Sequence, residues 1–200
     1  EINLVVTPSK WVSNLYIQDS PELKNKCYEW PAGVDVNFWK PSKNLKRDQV
    51  ILYVKEKNSS INFKNYFDYL YNNGFKIKII RYGSYTKRGF KKELEKSFIM
   101  VCFSQSESQC IAWSEAWSLN VPILINENNF HKIKGITIKV DNAPYLNKYN
   151  GLKFKDMNEF IKNFKYMHKN FKKYNTRNWL INNLSDKVTS KKLFDKIKSI

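Results

Sequence analysis

Two hundred residues suffice for one good hydrophobic core with smaller pieces attached. The formal net charge is +17, from 35 Lys and Arg against 18 Asp and Glu, a balance that by itself suggests an anionic membrane or nucleic acid as partner. No apolar run reaches the ~18 residues of a membrane span, no signal-peptide pattern is visible, and three cysteines without metal-ligand spacing (Cys27, Cys102, Cys110) argue against a disulfide scaffold and for a reducing, cytosolic compartment.

In chain order, periodicity predicts a short strand over 2–7, a helix over 8–18 with Pro8 near its start, and a strand over 27–30. Regular alternation follows: strand 49–54, helix 60–73, strand 75–81, helix 87–96, strand 97–103, helix 108–119, strand 121–125 and strand 136–140. A helix near 156–171 completes this part. Alternation of this kind predicts an α/β fold, a Rossmann-like three-layer parallel sheet with helices on both faces. Ser185 and Asp186 break the pattern before a last amphipathic helix, 188–198, whose Val188, Leu193, Phe194 and Ile197 are expected to face the core.

The lysines are spread along the predicted helices, for example Lys162, Lys165, Lys169, Lys172, Lys173, Lys191 and Lys192, and are not gathered in one arm. A solvated lysine surface explains them, with attraction to anionic lipid head groups as the remaining option. No nucleic-acid partner is expected. His131 and His168 stand apart from each other and from the cysteines, so no metal site is expected.

The richest segment is Phe103 to Pro122. Glu107 and Glu115 lie eight residues apart, the first at the end of an apolar strand, the second inside the following helix. On one continuous helix that step is about 800° and about 12 Å, so the two carboxylates would share neither face nor level. They serve one ligand only if Glu107 sits in the loop at the helix mouth and Glu115 faces inward. Ser106 and Ser108 are good N-cap residues and place the helix start near them. Free N–H groups and the positive dipole end at such a mouth suit an anion, above all a diphosphate. Carboxylates beside it suit sugar hydroxyls.

Ser104-Gln-Ser-Glu-Ser-Gln-Cys-Ile-Ala112, Glu115-Ala116 and Asn120-Val-Pro122 together resemble the E-x7-E segment of retaining glycosyltransferases with the GT-B fold, of the glycosyltransferase family 4 type. Other segments agree in order. Trp30-Pro-Ala-Gly-Val-Asp35 is similar to the P-x-G-V-D after the interdomain crossover, and Phe38-Trp-Lys-Pro41 to the F-x-P beyond it. Gln49-Val-Ile-Leu-Tyr-Val54 resembles the first strand of the C-terminal domain, and Gly74 to Ile80 with Tyr82-Gly83 the second strand and its turn. Asn142 to Leu146 with Gly151 and Phe154, and Tyr174 to Leu184, resemble the closing segments. The likeness covers most of the chain.

It implies that residues 1–35 are the end of an N-terminal domain and its crossover, 36–171 the donor-binding Rossmann-like domain, and 172–200 a helical segment packing back toward the N-terminal domain. The chain opens on Glu1 rather than Met, and a longer parent chain is expected. The implied activity is transfer of a sugar from a nucleotide-sugar to a glycan or lipid-linked acceptor with retention, in the cytoplasm or at the inner face of the membrane. Glu115 would take ribose hydroxyls, Glu107 hydroxyls of the transferred sugar, and the 106–111 turn (Ser106, Ser108, Gln109, Cys110, Ile111) the diphosphate. A base would rest near Arg81, Tyr82 and Gly83. Lys55 or Lys57 would meet the leaving group, without a tightly bound metal or other cofactor. Two departures stand out: the family's Gly-Arg slot reads Lys55-Glu56-Lys57-Asn58, and its second helix-mouth glycine is Cys110. A basic nucleic-acid-binding module, an epimerase of related fold and a degenerate non-catalytic domain remain as alternatives.

Overall fold

The computed structural model describes residues 2–55, 63–133 and 135–200. Strand β1 (Val5–Thr7), helix α1 (Lys10–Asp19) and strand β2 (Cys27–Glu29) come first. The two strands pair in parallel, with Val6 opposite Tyr28. Ile2 lies outside the strand predicted for it and is exposed. The alternating part follows as β3 (Gln49–Val54), α2 (Lys64–Asn72), β4 (Lys76–Arg81), α3 (Lys87–Glu95), β5 (Ser97–Phe103), α4 (Ile111–Ser118) and β6 (Ile123–Asn126). The first three residues of the helix predicted over 60–73 lie outside the described residues, as does Lys57.

The predicted strand 136–140 is a correction. Strand β7 (Phe130–Ile133) and strand β8 (Ile136–Lys139) form a separate antiparallel hairpin. The fifth strand of the main sheet is instead β9 (Gly151–Phe154), read from sequence as loop. Glycine is required where β9 meets β6, because a Cβ at Gly151 would collide with the Ile123 carbonyl oxygen. The chain ends in α5 (Met157–Asn170), α6 (Thr176–Leu184) and α7 (Asp186–Lys198).

The sheet is parallel throughout, in the order β4-β3-β5-β6-β9. Every residue of β3 and β5 is buried, as expected of central strands covered on both faces. Alternate side chains feed two cores. Val50, Leu52, Val54, Ile99, Val101 and Phe103 meet Leu70 of α2 and Phe160, Phe164 and Met167 of α5. Ile51, Tyr53, Met100 and Cys102 meet Phe90 and Leu94 of α3 and Trp113 and Trp117 of α4. The start of α5 is fixed by Asp156, which accepts from the Glu159 N–H, while Glu159 accepts from the Lys155 N–H.

After β3 the chain steps to β4 on one side, and after β4 it crosses to β5 on the other. The strand order therefore reverses between β3 and β5, and the loops leaving their C-terminal ends diverge. A crevice at such a switch point is where open α/β sheets hold ligands.

The closing helices bind this sheet to the first residues. Trp179 of α6 packs edge-on against Trp117, 5.5 Å between centroids. Val34 bridges to Ser185 in parallel, and α7 comes so close that a Cβ on Gly33 would lie 2.6 Å from the Asp186 Cα. The Trp30 indole donates to the Thr189 carbonyl at 2.7 Å. The apolar stripe of α7 differs from expectation: Phe194 and Ile197 are 57% and 56% exposed, while α7 meets residues 28–33 through Asp186, Thr189 and Lys192.

Candidate active site

The switch-point crevice is a cleft of about 540 Å³. Lys55 enters from the end of β3, Tyr82, Tyr85 and Lys87 from the end of β4, and residues 107–112 with Glu115 from the end of β5 and α4. Pro8 and Ala32 close the fourth side. Both glutamates thus line one cleft, with Glu107 in the loop and Glu115 in the second turn of α4.

Glu107 is 1% exposed. Its carboxylate accepts from the Lys55 ammonium at 2.5 Å and from the Ser104 hydroxyl at 2.6 Å. Its N–H donates to the Asp141 carbonyl (3.0 Å) and its carbonyl accepts from the Trp11 indole (2.8 Å). A buried carboxylate persists only when paired and hydrogen-bonded in this way. Burial works to lower the Lys55 ammonium, but the facing Glu107 carboxylate and its hydrogen bond outweigh it and hold the group above the usual lysine range.

Helix α4 starts at Ile111, three residues later than predicted, and its N-cap is Cys110. Ser106 and Ser108 do not cap it. The bond from Glu107 N–H to Asp141 holds this turn out of the helix; Ser106 instead pairs with His131 Nδ1 at 3.0 Å. Gln109 is also diverted. Its side-chain amide makes a two-way pair with Ala32, donating to the carbonyl (2.7 Å) and accepting from the N–H (2.8 Å). Cys110 has φ +60°, a left-handed conformation that costs a residue with a Cβ about 1–2 kcal/mol. Burial, then the nearby Glu107 carboxylate, push its thiol well up. Among the described residues, the N–H groups of Ser108, Gln109, Cys110 and Ile111 have no protein acceptor, so the mouth keeps its donors free.

Glu115 has no such partners. Burial, opposed in part by the charge of Lys87, pushes its carboxyl up to about 7. Behind it the Tyr53 and Tyr85 hydroxyls bond to each other at 2.7 Å, and burial raises both phenols. Lys87 stands opposite, its ammonium 4.5 Å from the Phe38 ring centroid.

Of the remaining sequence candidates, Ile111 lines the cleft and is partly exposed. Tyr82 lines it beneath the Lys55 ammonium, 5.0 Å away. Gly83 forms the turn, with φ +76°. Arg81 does not line this cleft: its guanidinium lies over the Phe63 ring, 5.6 Å from the centroid, while its neighbour Ile80 takes the inward position. Sequence reasoning missed Ser104, Tyr53, Tyr85, Lys87 and Trp11. The signal for Lys87 was its place at the first residue of a helix that follows a strand beside the switch point. Among the described residues, no group of three or more His, Cys, Asp or Glu could hold a metal ion.

No protein-family model matches the chain, and no curated protein matches it. Solved structures do. A glycosyltransferase from Rickettsia africae is 15% identical, with a TM-score of 0.65 over 98% of this chain and 63% of that one. HepE from Anabaena, solved with UDP-glucose, is 10% identical, with a TM-score of 0.64 over 99% and 64%. TarM from S. aureus, solved with UDP, is 14% identical, with a TM-score of 0.67 over 96% and 43%. The chain spans less than two thirds of the length of these structures. Its five-stranded parallel sheet with helices on both faces is the fold of the Rossmann-like domains of GT-B glycosyltransferases.

Proposed function

We propose that the cleft between β3 and β5 binds a nucleotide-sugar, and that the chain supplies the donor-binding part of a retaining glycosyltransferase. One observation carries this reading. A buried and a half-buried glutamate flank a helix mouth whose N–H groups have no protein acceptor, in a cleft large enough for a sugar diphosphate. Among the described residues nothing accepts from those N–H groups, whereas a diphosphate with two sets of hydroxyls uses every part of the arrangement. UDP-glucose in HepE and UDP in TarM support the ligand class.

The 108–111 amides would hold the diphosphate, with the positive end of α4 behind them. Glu115, when ionised, accepts from the ribose hydroxyls. Glu107 has lone pairs left beyond those used by Lys55 and Ser104, and these accept from hydroxyls of the transferred sugar. During transfer the bond from the anomeric carbon to the diphosphate breaks. The acceptor oxygen bonds to that carbon, and its proton leaves on the diphosphate. Negative charge then grows where the amides and Lys55 point, the place where preorganised donors lower a barrier most. No step calls for a metal. The acceptor is a glycan or a lipid-linked sugar, and residues 1–35 and 172–200 form the seam to the part that holds it.

Calorimetric titration with a panel of nucleoside diphosphates tests this. The expected result is saturable binding of UDP, GDP or ADP that Glu115→Ala weakens by about tenfold or more, the loss of a charge-assisted contact. Binding of none of the three by the wild type would refute it.

A further inference from the structure

The two edges of the main sheet are finished differently. At the β9 edge the Gly151 N–H donates to the Asn147 carbonyl at 3.1 Å, and the Lys153 carbonyl accepts from the Asn163 side chain at 2.8 Å. The β4 edge has no such cover. Strand β4 pairs only with β3 among the described residues. Its Tyr82 N–H donates to the Val54 carbonyl on β3. Alternation along the strand then turns the Lys78 and Ile80 backbone inward, and the N–H groups of Ile77, Ile79 and Arg81 outward. The Arg81 carbonyl is taken by the Ser84 N–H. Among the described residues, nothing accepts from the three outward N–H groups, and nothing donates to the carbonyls of Ile77 and Ile79. Such a row is a template for one more strand.

The surroundings of this edge suit one kind of strand. On the α3 side lies a cleft of about 400 Å³. Ile80 and Phe90 are its buried apolar lining, Gly89 has no side chain to fill it, and Lys78 is its exposed cation. On the α2 side Ile77 and Ile79 lie along the edge, Ile79 39% exposed, with the Arg81 guanidinium beyond them over Phe63. An added strand sends alternate side chains to these two faces, and each face offers it apolar contact and a cation. Residues 76–96 carry eight Lys and Arg against Glu93 and Glu95. Both acids are engaged, Glu93 by Gln49 and Lys96, Glu95 by the Ser42 N–H and hydroxyl. Lys76 lies 3.7 Å from Asp48, but Lys78 and Arg81 have no carboxylate partner among the described residues. A second copy of this edge would bring like charges together, which is how lysines keep edges apart. A strand carrying Asp or Glu among apolar residues meets the opposite situation.

We propose that the β4 edge docks an extended, acidic segment of a partner polypeptide. The segment pairs with the outward backbone of Ile77, Ile79 and Arg81, sets an apolar side chain into the cleft against Ile80 and Phe90, and places its carboxylates by Lys78 and Arg81. Nothing in this depends on what the switch-point cleft binds.

Fluorescence anisotropy with the whole chain at about 0.15 M salt tests this. The probes are a labelled peptide Glu-Val-Val-Glu-Glu-Val-Val, the same peptide with alternate backbone nitrogens methylated, and its counterpart with lysine in place of glutamate. The first should bind saturably and the other two about tenfold more weakly or worse. Bound peptide should slow amide hydrogen exchange at Ile77, Ile79 and Arg81. Ile79→Pro removes an outward N–H and none that faces β3, a substitution that sheet edges accept; it should weaken the acidic peptide by about tenfold. Lys78→Glu should narrow the preference for the acidic peptide over the lysine one. The methylated probe requires no change in the protein, so it decides the matter even if the proline variant fails to fold. No saturable binding of the acidic peptide, equal binding of its methylated or lysine form, or slowed exchange away from β4 would each overturn the proposal. So would self-association of the chain that Ile79→Pro abolishes, which would give the edge to a second copy.

Discussion

The two ends of α4 are treated in opposite ways. At the C-terminal end the carbonyls of residues 115–119 are all met. Asn120, at φ +60°, turns the chain, and the N–H groups of Asn120 and Val121 return to the carbonyls of Trp117 and Ala116, the closing pattern that satisfies a helix end from its own backbone. Arg47 donates to the Leu119 carbonyl, Arg177 to the Ser118 carbonyl, and Thr176 to the Trp117 carbonyl. Two guanidinium groups also complement the negative dipole end. At the N-terminal end there is no side-chain cap, no acidic residue in the first turn, and a turn of free N–H groups. The open end is the one at which the diphosphate is proposed to sit.

The largest effect should come from breaking the Lys55–Glu107 charge pair at the open end. Lys55→Met leaves the Glu107 carboxylate buried beside Ser104 alone. Losing one partner of such a pair costs about 3–5 kcal/mol, measured as a fall in the urea midpoint at neutral pH. At the closed end, Arg177→Ala removes donors from the carbonyls of Trp39, Ser118 and Val36. About 2–3 kcal/mol of stability should go with them. Nucleoside diphosphate affinity at a temperature where the variant is folded should stay within about threefold. An equal loss of affinity would mean that the two ends are not independent.

Glu115 gives a smaller effect with a definite sign. Its folded-state pKa, raised from 4.5 to about 7, means that folding holds a proton the unfolded chain releases. Stability therefore falls as the pH rises from about 4.5 to about 7 and is flat on either side. Glu115→Gln removes that slope. The variant should match the wild type at pH 4 and exceed it by about 1–2 kcal/mol at pH 8, allowing for partial solvation. Nucleotide binding runs the other way: ribose hydroxyls need the ionised carboxylate, so wild-type affinity should strengthen as the pH rises through about 7.

Much of this was legible from the chain. Strands β3 and β5 have the predicted bounds because each is apolar on both faces, a pattern that tertiary context does not alter. Helix α5 showed itself through Phe160, Phe164 and Met167 at helical spacing after Asp156. The hairpin was misread because Ile136 to Val140 alternates as a sheet strand does; nothing local says that it turns back on Phe130 to Ile133 instead of joining the main sheet. Strand β9 was missed because Leu152 and Lys153 are only half-buried and Gly151 suggests a turn. At the site, Glu107, Glu115 and Lys55 were found because two lie on one loop and its helix and the third directly follows a strand. Lys87 and Tyr85 come from a different strand end, and only the sheet order brings them to the same cleft. Ser106 and Ser108 misled because any serine before a helix is a candidate cap, while the Asp141 carbonyl, 34 residues beyond Glu107 in the chain, decides where the helix begins.

The smallest effect tests the open end most directly. Cys110 occupies a backbone conformation that glycine adopts without cost, beside the amides proposed to hold the diphosphate. Cys110→Gly relieves about 1 kcal/mol of strain but gives up the packing of a partly buried side chain and adds freedom to the unfolded chain. The net change in stability should therefore lie within about 1 kcal/mol of zero. The change in binding should not be small, because removing the Cβ lets the diphosphate approach the N–H groups more closely. Affinity for a nucleoside diphosphate should rise by about three- to tenfold, while affinity for the parent nucleoside should not change. A variant that gains for both would place the cysteine against the ribose or base. One that gains for neither would mean that the N–H groups of this turn meet something other than phosphate.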